Sequence, residues 1–476
     1  MIHSIKKDEM MALLPSSVNY EHIENSGREK IEKFDMNIIK FILHSIVFKS
    51  VAFKGNTEVI NYFDQSYLSR DYWVEAIDTG YSKYINLLRD EKIIYRTPYQ
   101  ENKCFGYGLI VPYRYSRINV EVIQIKGIHE YQNKKFNSSY TKKYEKPLSD
   151  FFVNTDFAID SDKTEADLFD RYFELANYPL KKSHEKPIAI DLKSYSSYLM
   201  ALKKMAQFMN GEYIFSRGTT SLKNKKTGKK DYKTKGRLYT SFSFLNKEIR
   251  QNLIYKGGKL IEIDLKNCVP YLLSNLFSVT NIRMTSKRVN RLQDSLSIYM
   301  CSEDLKTLMD REVEDFKILC IEGTVYNVFI EPLKEKYSER WCEMFMMYFG
   351  KRYVESYEHD RALAKQLFIM MLFGRISQFT EVQQVFAERF PILYDIVTTK
   401  KRQNYKAVAK SLFDLEASLM IDQVAKPLVK NYKRKIPVFS VHDCIATTEE
   451  NIPVVIEQIE SVFYSNFGNT PRISVD

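Results

Sequence analysis

Between residues 29 and 49, "REKIEKFDMNIIKFILHSIVF", apolar positions recur at helical spacing, and the stretch predicts a helix. The run "YLSRDYWVEAIDTGYSKYINLLRDEKIIYRT" then predicts a helix, a turn at Thr79-Gly80 and a second helix capped by Ser82. An extended "KIIYRT", a polar "PYQENK" and a second strand, "FGYGLIVPYRY", follow. Helix, turn, helix, strand, loop, strand is the order of a winged helix. The second helix would offer Lys83, Asn86 and Arg89 to solvent, and the strands Arg96, Arg114 and Arg117. Such a module binds DNA, makes protein contacts or braces the fold.

Residues 131–150 are basic, polar and poor in large aliphatics, as in a linker. Helical patterns return at "KTEADLFDRYFELANY" and "SYSSYLMALKKMAQFMNG". Residues 217–237, "RGTTSLKNKKTGKKDYKTKGR", carry nine Lys/Arg against one Asp and three glycines, without apolar periodicity. That composition predicts a loop, with Lys225, Lys226, Lys229 and Lys230 at its centre. It suits a phosphate backbone, because each neutralised phosphate releases counterions; a solvated charge run has the same composition.

Two strand patterns near the C-terminal half each hold a carboxylate. "KLIEID" is a strand entered through Gly257-Gly258 and ended by Asp264, with Pro270 in the first turn of the helix after it. "KIPVFSVHDCIATTEEN" reads as two strands, Ile436 to Val441 and Cys444 to Thr448, with His442 and Asp443 at the turn between them. A carboxylate in so apolar a setting is costly unless something offsets its charge. Either Asp alone is compatible with a structural role. Together they could share two divalent cations about 3.5–4 Å apart and clamp an in-line phosphoryl displacement. A third element, "DRALAKQLFIMMLFGR", puts Arg361, Lys365, Ile369 and Phe373 on one helix face. Two cations suit a triphosphate and a flat ring suits a base pair; a surface Arg/Lys pair above a core aromatic has the same spacing.

Composition supports this direction. The net charge of +11 favours an anionic partner such as nucleic acid. The six cysteines are scattered without a Cys/His cluster, which argues against a zinc site or a disulfide framework. The opening "MIHSIKKDEMMALL" does not read as a signal peptide, and no 18-residue apolar run is present to span a membrane.

These motifs resemble the DNA polymerase I-like (family A) polymerases and their relatives, the single-subunit phage and mitochondrial RNA polymerases. "EIDLKN" is similar to the family's first palm motif, "RALAKQLFIMMLFG" to its fingers helix and "VFSVHDCIA" to its His-Asp hairpin. "KGRLYTS" resembles the Gly-Arg-Leu segment that touches the primer–template duplex, and Arg250 precedes Asp264 at the family's spacing. "VFAERFPILYDIV", "FDLEASLMIDQVAKPLV" and the closing "NTPRISVD" resemble the surrounding segments. The resemblance covers about residues 235–476, and the first 150 residues match nothing in these families.

The resemblance implies an α/β (α+β) right-hand fold with an antiparallel-sheet palm and helical fingers, beside an N-terminal winged-helix-like domain. The expected division is 1–130 for that domain, 131–150 for the linker and 151–235 for a helical thumb-like region with the basic loop. Residues 236–280 would form the first part of the palm, 281–400 the fingers and 401–476 the rest of the palm. It further implies that Asp264 and Asp443 hold two Mg²⁺ ions, that Arg361 and Lys365 grip the triphosphate, and that Lys365 can give pyrophosphate a proton. Phe373 would stack at the templating position and Ile369 would lie on the nucleotide-facing side. His442 would meet the primer end, and Arg237 and Arg250 the nucleic acid.

Two departures bear on the sugar. Val269 stands where the DNA enzymes have Glu and the RNA enzymes Gly, and Phe373 where the RNA enzymes have Tyr. An apolar pair leaves a ribose 2′-hydroxyl unpartnered, at a cost of roughly 1–3 kcal/mol. The expected activity is therefore dNTP addition to a primer on a nucleic acid template, in the bacterial cytoplasm, for a phage, plasmid or mobile element. A single-subunit RNA polymerase or primase, and a replication initiator with an inert polymerase fold, are the alternatives. "IAIDLKSY" at 188–195 lacks the Asp-x-Glu pair of a proofreading exonuclease.

Overall fold

The strand Glu9–Pro15 is buried along almost its whole length and pairs antiparallel with Ile118–Gln124, Met11 opposite Val122 and Leu13 opposite Val120. Side chains bond two of its other backbone N–H groups. Met11 N–H donates to Asn210 Oδ1 at 2.6 Å, and Leu13 N–H donates to His44 Nδ1 at 2.9 Å. A buried amide and a buried imidazole thus do what a third strand would do. The computed structural model describes residues 2–6, 8–50, 66–77, 80–97, 104–124, 146–153, 156–176, 192–223, 230–277, 302–349 and 352–476. It is a mixed α/β structure with antiparallel sheets. Among the described residues no helix is long and apolar enough to cross a membrane.

The chain divides into two units. The first comprises 1–139, 152–214 and 240–260; the second comprises 140–151, 215–239 and 261–476. The first unit therefore takes in the expected N-terminal domain together with most of the region expected to be thumb-like.

In the first unit the helical pattern of 29–49 is split. One helix, Tyr20–Lys30, ends before a turn in which Lys33 has a φ of 57°, and Met36–Ser50 begins afresh. The helix–turn–helix–strand–strand order is present: Arg70–Ala76, Tyr81–Asp90, Ile94–Arg96 and Gly106–Leu109. Ser69 caps the first of these helices by accepting Tyr72 N–H. Ser82 does not cap the second, because the helix already starts at Tyr81 with Gly80 before it. Ile94–Arg96 and Ser66–Tyr67 flank Gly106–Leu109 in a three-stranded antiparallel sheet. The second strand stops short of its expected end, since Pro112 lies in the helical turn Val111–Arg114. Lys83, Asn86, Arg89 and Arg96 are exposed as expected. Arg114 instead turns inward, Nε donating to the Leu109 carbonyl, and Arg117 is forked onto Glu165 at 2.9 and 2.6 Å. A small antiparallel sheet of Ile2–Ser4, Phe157–Asp160 and Leu253–Tyr255 completes this unit, its last strand pairing with residues 258 and 259.

In the second unit, Ile473–Val475 pairs antiparallel with the strand Gly258–Leu265, Asp264 opposite Ser474. On the other side of that strand is the hairpin of Phe439–Val441 and Cys444–Thr448. Its first strand is shorter than expected, and Pro437, which has no N–H to give a ladder, stays outside it. Helices make up most of the rest. The expected linker ends in one of them, Lys146–Val153, which crosses the boundary between the units; residues 131–145 lie outside the described residues.

The basic stretch 217–237 is corrected most. Phe215–Lys223 and Lys230–Thr240 are paired strands, so most of the expected loop is strand, and 224–229 lie outside the described residues. Its two terminal arginines are internal. Arg217 is buried and forked onto Asp422 with both bonds at 2.8 Å, and its Nε donates to the carbonyl of Gly236. Gly236 has a φ of 80°, a conformation glycine adopts without strain.

Candidate active site

Asp264 is the penultimate residue of its strand, Gly258–Leu265. Asp443 is the second residue of a two-residue hairpin turn whose first, His442, has a φ of 58°. Leu265 N–H donates to the Asp443 carbonyl at 3.4 Å, which sets the hairpin tip beside the Asp264 strand. Two carboxylates remote in sequence thus stand on neighbouring segments. Burial pushes the Asp264 carboxyl up to about 6, the Asp443 charge adds to the rise, and Lys266 and Lys365 oppose it. Burial also pushes Asp443 up, against its own backbone hydrogen bond and the charges of Arg237 and Lys365. Lys365 therefore bears on both.

Lys365 comes from the helix Tyr357–Phe373, capped where Ser356 accepts His359 N–H. Leu363, Ala364, Leu367, Phe368, Met371 and Leu372 bury its core faces. Arg361, Ile369 and Phe373 are half-buried and Lys365 is exposed. The helix is pinned at both ends. Asp360 accepts from Lys334 Nζ at 2.9 Å, Trp341 Nε1 at 2.8 Å and Tyr353 Oη at 2.7 Å. Buried Lys401 donates to the Met371 carbonyl at 2.6 Å, near the helix C-terminus where a cation is favoured. Gly374 follows, and a Cβ there would come within 2.8 Å of the Met370 carbonyl.

Arg361 donates from Nη2 to the Gly323 carbonyl at 3.2 Å and to Asn267 Oδ1 at 3.4 Å. Arg361 and Lys365 both lie over the buried ring of Tyr326, at 5.6 and 6.0 Å from its centroid. Sequence reasoning missed Tyr326 and Asn267. Asn267 had a signal, since it closes the stretch "EIDLKN" three residues after Asp264; in the structure it has a φ of 54°, a conformation enriched in Asn.

Arg237 was expected on nucleic acid, and the structure gives it an internal partner. Its Nε and Nη2 fork onto Glu416 at 2.8 and 2.6 Å, and Glu416 is almost wholly buried. The guanidinium also stacks 3.7 Å from the ring centroid of Phe413, and Phe413 meets Phe373 edge-on at 5.1 Å. Burial pushes Glu416 up to about 7 while Arg237 holds it down. The buried thiol of Cys268 is pushed up by burial and then by the charges of Asp443, Glu416 and Asp264, so it borders the same cluster. Glu416, Phe413 and Cys268 were not singled out from the sequence either.

The remaining expected residues divide. His442 rests edge-on against Tyr239 at 5.6 Å. Val269 is half-buried, second in the helix Cys268–Phe277. Arg250 belongs to the first unit, where its Nη1 donates to the Leu245 carbonyl at 2.6 Å. Lys225, Lys226 and Lys229 lie outside the described residues, as does 188–191 of "IAIDLKSY", and Lys230 opens the strand Lys230–Thr240.

The donor set fits Mg²⁺. Among the described residues no group of three or more His, Cys, Asp or Glu is placed to hold a metal ion. Mg²⁺ does not require one, because it takes one or two carboxylates and completes its shell with water and substrate phosphate. Asp264 and Asp443 supply two hard oxygen donors on neighbouring segments, and the Asp443 charge raises the Asp264 carboxyl. No protein-family model matches the chain, and no curated protein matches it.

Proposed function

We propose that the chain is a template-directed nucleic acid polymerase that adds dNTPs to a primer 3′-hydroxyl. The observation that carries this reading is the meeting of Asp264 and Asp443 from two remote segments, with the Lys365 charge acting on both. A replication initiator with an inert polymerase fold has no physical need for two repelling carboxylates beside a lysine. In this reading the strands around Asp264 and Asp443 are the palm and the helices around Tyr357–Phe373 are the fingers.

Asp264 and Asp443 would hold two Mg²⁺ ions, which when bound acidify the attacking hydroxyl and offset charge on the leaving pyrophosphate. Lys365, exposed on its helix, reaches out to the triphosphate and can give a proton to the departing oxygen. Arg361, held by Gly323 and Asn267, offers a fixed guanidinium beside it. Phe373, braced by Phe413, presents a ring to the templating base. The three-stranded sheet and two helices of the first unit support a winged helix, with Lys83, Asn86, Arg89 and Arg96 meeting DNA. Extension of a labelled primer on DNA and RNA templates, with dNTPs or rNTPs, tests the reading; no extension under any combination refutes it.

Sugar choice supplies a sharper test. A branched Val269 beside C2′ excludes a hydroxyl by volume, and Phe373 offers it no acceptor. Val269→Gly opens the space and Phe373→Tyr supplies a polar partner. Each is expected to lower the dNTP-over-rNTP ratio of kcat/KM by about tenfold, and the two effects couple because both groups touch one hydroxyl. A wild type that prefers rNTPs would put an RNA polymerase or primase in place of the DNA polymerase.

The lysines of the basic stretch predict a salt effect. Changing Lys225, Lys226, Lys229 and Lys230 together to Gln is expected to flatten the dependence of log Kd on log salt by about 0.9 for each phosphate no longer neutralised. An unchanged slope in duplex titrations would remove this stretch from the interface.

A further inference from the structure

The first unit holds a cavity of about 220 Å³ that the proposed reaction does not use. The helix Met36–Ser50 supplies Phe41, His44, Ser45, Phe48 and Lys49 to its wall; Tyr72 and Lys203 face them from other helices. The ammonium groups are set against rings. Lys203 Nζ lies 4.7 Å from the centroid of Phe48, and Lys49 Nζ lies 5.5 Å from that of Tyr72.

The hydrogen-bonding groups point the same way. His44 accepts Leu13 N–H at Nδ1, and burial keeps the ring neutral, so its own hydrogen is on Nε2. Ser45 and Tyr72 share one hydroxyl–hydroxyl bond of 3.0 Å. The amides of the wall are engaged elsewhere: Asn210 bonds Met11 through both ends, and Gln207 donates to Glu212. Glu75, the other carboxylate of the lining, is exposed. Burial and the repulsion of Lys49 push the Lys203 ammonium down to about 8, with Glu212 opposing. The two ammonium groups repel each other at this cavity, and an anion placed between them would lessen that repulsion.

We propose that this cavity binds a small aromatic anion, a single ring bearing one phosphate or carboxylate. The ring would lie among Phe41, Phe48 and Tyr72, and the anionic group between Lys49 and Lys203. Pockets for drug-sized ligands measure about 300–1,000 Å³, so this one takes a smaller molecule. A pyrimidine nucleoside monophosphate and a simple aryl phosphate share this chemistry, and the experiment separates them.

Calorimetric titration of the full chain with phenyl phosphate is expected to give a Kd of about 1 mM or tighter. Inorganic phosphate and phenol, each offering half of the ligand, are expected to bind at least about tenfold more weakly. Tighter binding of uridine monophosphate than of phenyl phosphate would identify a nucleotide site, and the reverse order a site for simpler aryl anions. Lys203→Met keeps the length of the side chain and removes its charge, so it should weaken phenyl phosphate about tenfold. Exposed Lys49→Gln repeats the test in a variant with little risk to folding, and Asp264→Asn should bind as the wild type does. No heat of binding at about 10 mM phenyl phosphate, or an affinity unchanged in both lysine variants, would overturn the proposal.

Discussion

Asp264→Asn and Asp443→Asn are each expected to abolish nucleotide addition while the chain stays folded. A carboxylate that helps hold an ion at the reacting phosphate acts mainly in the transition state, so its loss falls on kcat. A drop of at least about 10³-fold, near 4 kcal/mol, is expected in single-turnover extension. Stability should move the other way. Burial and Asp443 raise the folded Asp264 carboxyl to about 6 from an ordinary value of 3.8. The cost to stability therefore sets in above about pH 4, is complete above about pH 6, and is absent below about 4. Asp264→Asn should gain about 1–2 kcal/mol at neutral pH without added metal, discounting for partial exposure, and that gain should fade between pH 6 and pH 4. Added Mg²⁺ should raise the melting temperature of the wild type and raise that of either variant less. Near-normal extension by either variant would remove the two-metal assignment, whatever the melting data show.

Arg237→Ala is expected to be among the most destabilising single changes in the second unit. It leaves Glu416, 1% exposed, without the guanidinium that is forked onto it. Removing one partner of a buried ion pair costs about 3–5 kcal/mol, because the other charge remains buried and unpaired. Chemical denaturation should read this as a lowered midpoint. Arg237→Lys should recover little, since one ammonium cannot reproduce the two parallel bonds. Arg237→Ala combined with Glu416→Gln should recover much of the loss by removing the stranded charge. The pH dependence has a definite sign. The folded Glu416 carboxyl is already raised to about 7, and losing Arg237 removes the cation that holds it down. The penalty should be largest above pH 7 and shrink as the pH falls and the carboxyl takes up its proton. Phe413 also loses its stacking partner, so the ring of Phe373 is braced less firmly. A variant of unchanged stability whose only defect is weak duplex binding would return Arg237 to the nucleic acid interface first expected of it.

What the chain shows by itself is what nearest neighbours along it decide. Short apolar runs bounded by turn residues mark strands, and they located Gly258–Leu265 and the hairpin around His442-Asp443. A 3.6-residue period located Tyr357–Phe373 with its line of Arg361, Lys365, Ile369 and Phe373. Two errors came from local rules that tertiary packing overrode. The apolar period in 29–49 runs through a turn that starts a new helix. The stretch 217–237 is polar on both faces, so nothing in its pattern marks the two strands it largely forms. Only the folded chain decides which charges meet. Arg237 finds Glu416 across 179 positions and Arg217 finds Asp422 across 205, and composition presents both arginines merely as ends of a basic run. Tyr326 carries two cations on its ring, yet no periodicity sets it apart from the other buried aromatics. The reason is physical. Helix and strand periods are properties of a few consecutive residues, whereas a buried ion pair or a ring beneath a cation depends on where remote segments are packed. The two aspartates lie on both sides of this division: their strands could be read from the chain, but their mutual repulsion exists only because the fold brings the hairpin tip beside Leu265.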